Sequence, residues 1–118
     1  MQYLCLIYHD EATLAALSED EYDALADEVR ACREELRRGG HDLAPLALAF
    51  VRAATTVRVR GGTVAVTAGP FAEATGLLGG FALIEARDLN EAIRLAARLP
   101  RARAGSVEVR PIEEFAPR

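Results

Sequence analysis

Two kinds of apolar pattern alternate along this chain. QYLCLIY (2–8) is a nearly unbroken apolar run rich in strand formers, and it predicts a central strand buried on both faces. His9-Asp10-Glu11 ends it, and EATLAAL (11–17) has room for a helical turn or two. Ser18-Glu19-Asp20-Glu21 then has the form of a capping box: the Ser hydroxyl can accept from the amide three residues on, and Glu21 can reach back. Its acids also suit the positive end of a helix dipole. Tyr22, Leu25, Ala26, Val29, Cys32 and Leu36 recur at steps of three and four and predict one apolar helix stripe. Arg37-Arg38 complement the negative end of that helix, and Gly39-Gly40 stops it.

The middle of the chain changes period. HDLAPLALAF (41–50) reads as an irregular strand interrupted by Pro45, hence an edge or a bulge, because proline cannot donate a ladder hydrogen bond. TTVRVR (55–60), Gly61-Gly62 and TVAVTA (63–68) spell a two-residue hairpin, with Val57 and Val59 on one side and Thr56, Arg58 and Arg60 on the other. A Gly-Pro-Phe turn follows, and residues 69–80 read as an Ω-like connector whose second turn is Gly79-Gly80. GFALIEA (80–86) is a buried strand. Asp88 caps a helix with Glu91 at the capping-box position and Leu89, Ala92, Ile93, Ala96 and Ala97 on its apolar face. GSVEVRPI (105–112) is the last strand, its valines alternating with Glu108 and Arg110.

The order is β-α-β, an extra hairpin, then β-α-β. That predicts an α+β fold: a ferredoxin-like antiparallel sheet with two helices on one face and an inserted β-hairpin, all in a single domain, 1–118. Helices on one face leave the other bare, and its residues are apolar. A bare apolar face of several hundred Å² marks an interface, so a two-fold homodimer joined through the open faces is expected.

Composition narrows the function classes. The chain has 118 residues, 51% apolar and 27% charged, which is ordinary for a globular domain. Net charge is −4, every basic residue is arginine, and no basic face is clustered, which argues against nucleic acid as a partner. The charge is uneven: residues 1–42 sum to −7 and residues 43–118 to +3. No apolar run approaches the roughly 20 residues of a membrane span, and MQYLCLIYHD lacks the features of a signal peptide, so a cytoplasmic protein is expected. Cys5 and Cys32 sit in apolar patterns and read as buried free thiols. With no CxxC and no His/Cys spacing suited to a metal, no metal or redox cofactor is expected.

YLCLIY, ATTVRVRGG, GPFAEATGLLGGFALIEARDLNEAIRLAARLP and GSVEVRPI together resemble the YCII-related proteins of the DGPF type over almost the whole chain. The resemblance implies a dimeric α+β barrel. Related barrels include isomerases, cofactor-free monooxygenases and cyclases, so fold analogy chooses no chemistry. The chain departs from the pattern at telling places. The signature turn Asp-Gly-Pro-Phe is here Ala68-Gly69-Pro70-Phe71, Leu46 stands where a Glu is usual, Ala82 replaces an aromatic, and Ala104 replaces a polar or aromatic residue. A His–Asp pair proposed for other YCII relatives has no counterpart: there is no His between Ser18 and Arg38, and Leu99-Pro100 occupies the place of the Asp.

Candidate chemistry is sparse. Of two histidines, both read first as loop residues, His9 is the better candidate, because it ends a strand beside Asp10, whose carboxylate would raise the imidazole pKa. His41 precedes Asp42 in the same way. Glu108 and Arg110 face away from the helices, as an ion pair or an anion site; Arg58 lies on the hairpin; Glu73 and Thr75 are the polar groups of the loop that lacks the family's Asp. His9 and Asp10 are therefore the catalytic candidates, and His9, Arg58, Glu73, Glu108 and Arg110 the ligand-binding ones. Two classes follow. One is a non-catalytic small-molecule-binding or regulatory protein, the reading favoured by the missing acid. The other is a cofactor-independent enzyme acting on a small apolar or aromatic compound. A pocket with convergent polar groups speaks for a small-molecule site, and a packed interior for an interaction protein.

Overall fold

A computed structural model describes residues 1–47, 55–69, 77–102 and 105–113. Its elements run β1 (Gln2–His9), α1 (Glu11–Ala15), α2 (Glu19–Arg38), β2 (Asp42–Ala47), β3 (Thr55–Arg60), β4 (Thr63–Ala68), β5 (Leu77–Glu85), α3 (Leu89–Ala97), a 3-10 turn at Pro100–Ala102, and β6 (Ser106–Pro111). Four strands form an antiparallel sheet in the order β2-β5-β1-β6, with β1 paired to both β5 and β6. Each helical connection thus skips over a neighbouring strand, which is the split βαβ arrangement predicted from the pattern. Among the described residues β3 and β4 pair only with each other. Gly61 and Gly62 both have positive φ (55° and 78°), the conformation that lets a two-residue turn follow the strand twist.

The helix caps form as the residues dictate. The Ser18 hydroxyl accepts from Glu21 N at 3.1 Å, and the Glu21 carboxylate accepts from Ser18 N at 2.9 Å. Asp88 accepts from Glu91 N at 2.9 Å, but Glu91 reaches one residue further back than a capping box requires, to Arg87 N. α2 ends at Gly39, and His41 fastens that end to β5: its N–H donates to Leu36 O, its Nδ1 lies 2.8 Å from Glu85 O, and its carbonyl accepts from Glu85 N. His41, expected in a solvent loop, is a structural tie.

One core holds the domain. Tyr3, Cys5 and Ile7 from β1 and Ala82 and Ile84 from β5 meet Cys32 and Leu36 of α2, Ala92, Leu95 and Ala96 of α3, and Leu99, with Val107 and Val109 of β6 packed against them. Burial pushes the Cys5 thiol up to about 11, and Cys32 donates to Arg98 O at 3.2 Å, so neither thiol is a poised nucleophile. Two expectations are corrected. Leu89, Ile93 and Ala97 of α3 are exposed, and Leu95 and Leu99 make the seam in their place. Gly79-Gly80 is not a turn: β5 already begins at Leu77, and Gly79 is the extra residue of a bulge between Ile7↔Gly80 and Tyr8↔Leu78. A Cβ on Gly79 would fall inside the His9 ring, so the glycine serves a close approach within a strand.

β2 is the edge strand predicted around Pro45, with an irregular register between Asp42 and Ala44. Asp42 Oδ1 is buried without a hydrogen-bond partner among the described residues, and burial raises its pKa.

Candidate functional site

α2 packs tightly only near its C-terminal end. Cys32 and Leu36 are its buried residues; Leu25, Ala26 and Val29 are half-buried and Tyr22 is exposed. Below its first half, at the His9 end of β1, lies a pocket of about 400 Å³. α1 and its cap contribute Asp10, Thr13 and Leu14; Leu17 follows; α2 adds Glu21, Ala24, Leu25 and Glu28; Pro100 and Arg101 close the far side. The volume lies within the range of small-molecule sites, and the leucines give it an apolar wall.

His9 forms its polar floor. The bulge at Gly79 lets the imidazole lie against the β5 backbone, and its Nδ1 is buried with no hydrogen-bond partner among the described residues. Burial lowers its pKa, the Arg101 guanidinium lowers it further, and the Glu11 and Asp10 carboxylates oppose them. This reverses the expectation that Asp10 would dominate and raise it. The reason is geometric: the Asp10 carboxylate turns toward α1 as its N-cap, accepting from Ala12 N at 2.9 Å and from Thr13 Oγ1 at 3.4 Å. His9 is therefore a neutral ring at pH 7, able to accept or donate one hydrogen bond according to tautomer.

Arg101 is oriented by its bond to Gly79 O at 3.2 Å. It shares the pocket lining with three carboxylates, of Asp10, Glu21 and Glu28. Two of them already serve helix caps, and the bonds to Ser18 lower the Glu21 pKa. The pocket thus carries a negative rim around an apolar wall and a neutral nitrogen. Among the described residues no group of three or more His, Cys, Asp or Glu is placed to hold a metal ion.

The remaining candidates lie elsewhere. Glu108 and Arg110 are on the sheet face away from the helices, as expected from Val107 and Val109, and pair within their own strand at 3.8 Å. Tyr8 joins them, donating to Glu108 Oε1 at 3.3 Å. Arg58 is exposed on the hairpin. Glu73 and Thr75 lie outside the described residues. The structure therefore brings His9 and Asp10 together and leaves Arg58, Glu108 and Arg110 apart from them. Sequence reasoning missed Arg101, Glu28 and the three leucines. Leu14 and Leu17, three apart beside the His9 strand end, were the available signal; Arg101 gave none, since only the chain reversal after α3 carries it to Gly79.

No helix among the described residues is long and apolar enough to cross a membrane. An uncharacterized protein of Rhizobium meliloti (strain 1021) is 37% identical over 120 residues, covering 99% of this chain and 96% of that protein. A family model described as the YCII-related domain matches residues 1–116, which take in the whole four-stranded sheet, its helices and the His9 pocket. The chain belongs to the YCII-related domain family.

Proposed function

We propose that this protein, a YCII-related chain of the DGPF type with Ala68 in the signature position, is a dimeric α+β barrel that binds a small uncharged molecule in the His9 pocket. The observation that carries the reading is the leucine-walled pocket of about 400 Å³ with the His9 imidazole among its polar lining groups. A ligand hydroxyl or carbonyl that meets the edge of the imidazole open to the pocket gains a hydrogen bond in a partly apolar setting. The negative rim disfavours anions, and the leucines favour an apolar or aromatic body. A neutral aromatic compound with one hydroxyl or ketone group fits both.

The dimer half of the reading rests on the open sheet face. Leu4, Leu6, Phe81 and Leu83 lie outside the core cluster, half-buried, on the face opposite the helices. A second copy would cover them.

The test is ligand-observed NMR with a panel of neutral aryl ketones and phenols, each matched by its carboxylate, followed through the His9 ring resonances. Neutral members should bind, shift those resonances, and lose at least about tenfold in affinity in His9→Ala, the effect of one hydrogen bond to a buried group. Binding that leaves the His9 ring unmoved rejects the site. A second reading has its own support in the lowered His9 pKa: a neutral imidazole is a competent base for proton abstraction next to a carbonyl. Exchange of ketone α-protons in D2O, accelerated by the parent and not by His9→Gln, would make the protein an enzyme.

A further inference from the structure

The β3–β4 hairpin has one face made almost wholly of valine. Val57 pairs with Val66 and Val59 with Val64, so four β-branched side chains form a two-by-two block, each between 56% and 66% exposed. The other face carries Thr56, Arg58, Arg60, Thr63, Ala65 and Thr67. Two strands alone are marginal in water and need an apolar face packed on something else. Here that face is the valine block, and it is exposed.

We propose that the valine face of this hairpin is a clasp that packs on a second copy of the chain and completes the dimer interface begun by the open sheet face. Two observations select a second copy. The first is area. Four strands about 4.8 Å apart and about 20 Å long give the open face a footprint of roughly 400 Å², against about 800 Å² per partner in a stable complex. A two-stranded arm adds roughly half as much again to that projected footprint, so it enlarges the apolar contact available to a second copy. The second is shape. The radius of gyration is 16.3 Å, while a compact chain of this length has about 13.5 Å, and the smallest extent is only 20 Å. A flat, extended molecule with two apolar faces turned outward is half of a symmetric object.

The clasp rests on the dimer reading, and two measurements separate their failures. Sedimentation equilibrium of the unaltered protein sets the dimer constant; a monomer at micromolar concentration rejects the dimer and the clasp together. The quadruple variant Val57→Thr, Val59→Thr, Val64→Thr, Val66→Thr keeps β-branching and strand preference while removing apolar surface. It should weaken the dimer about 100-fold. An unchanged dimer constant in a folded variant overturns the clasp and leaves the open-face dimer standing. Hydrogen exchange on the unaltered protein does not depend on the variant folding. Amides of residues 55–68 should lose protection on dilution through the dimer constant; protection independent of concentration overturns the clasp, as it would if a different protein or a lipid surface were the natural occupant.

Discussion

β1 has two faces of nearly equal apolar character and opposite fates. Tyr3, Cys5 and Ile7 are at most 8% exposed, sealed by residues of α2 and α3. Leu4, Leu6 and Tyr8, alternating with them on the same strand, are only half-buried. On the β5 side both sets face apolar neighbours, Cys5 opposing Ala82 and Leu6 opposing Phe81; on the β6 side Cys5 opposes Val109, whereas Leu6 opposes Glu108 and Leu4 opposes Arg110. The difference is what lies above them. One face is closed by the chain's own helices, so its packing contributes to folding at any concentration. The other is left half-buried, so any further burial there would require association, and its contribution would follow mass action.

Neighbouring residues of β5 measure this difference most directly. Ile84, 1% exposed, lies in the sealed layer, and Leu83 lies beside it on the open face. Ile84→Ala should cost about 3 kcal/mol in urea denaturation at every protein concentration, from lost transfer energy and the cavity left behind. Leu83→Ala should cost less than about 1 kcal/mol in dilute protein and more as concentration rises into the dimer range. Equal, concentration-independent losses would erase the distinction between the faces.

A subtler effect belongs to the pocket end of the helix-covered face. The folded His9 pKa lies below the unfolded value of 6.5, so below that pH the unfolded chain binds more protons. Stability should be level above pH 6.5 with respect to this group and should fall as pH drops through and below it. Thermal melts from pH 7.5 to 5 should show this loss in the parent and a shallower one in His9→Gln. Parallel profiles would mean the ring is not desolvated as described.

The smallest effect is expected at Ala68, the last residue of β4, which is exposed and opposes Thr55. Ala68→Asp should change stability by no more than about 0.5 kcal/mol, the usual limit for an exposed substitution away from special features. A loss above about 2 kcal/mol at pH 7, recovered toward pH 5, would reveal a buried carboxylate and a covered turn instead.

Local rules made much of this legible in advance. A Ser with a Glu three residues on gave the α2 cap, Gly61-Gly62 between alternating valines gave the hairpin, and Pro45 gave an edge strand. In each case the decisive partners are a few residues apart. The candidate site was legible only as His9 and Asp10. Its neighbours come from α1, α2 and the turn after α3, and their meeting depends on how far α2 stands from the sheet.

By itself, then, the sequence determined the elements, their order, the split βαβ topology and the family, because periodicity, caps and turns act over a few residues. Only the tertiary structure decided that Gly79 is a bulge holding the His9 ring, that Asp10 serves α1 rather than His9, and that Leu95 and Leu99 displace Leu89 and Ile93 in the core. Those outcomes turn on steric fit between elements distant in the chain. A bulge moves one residue across a strand, and a slight rotation moves a helix stripe by one position. Neither changes the local pattern from which the elements are read.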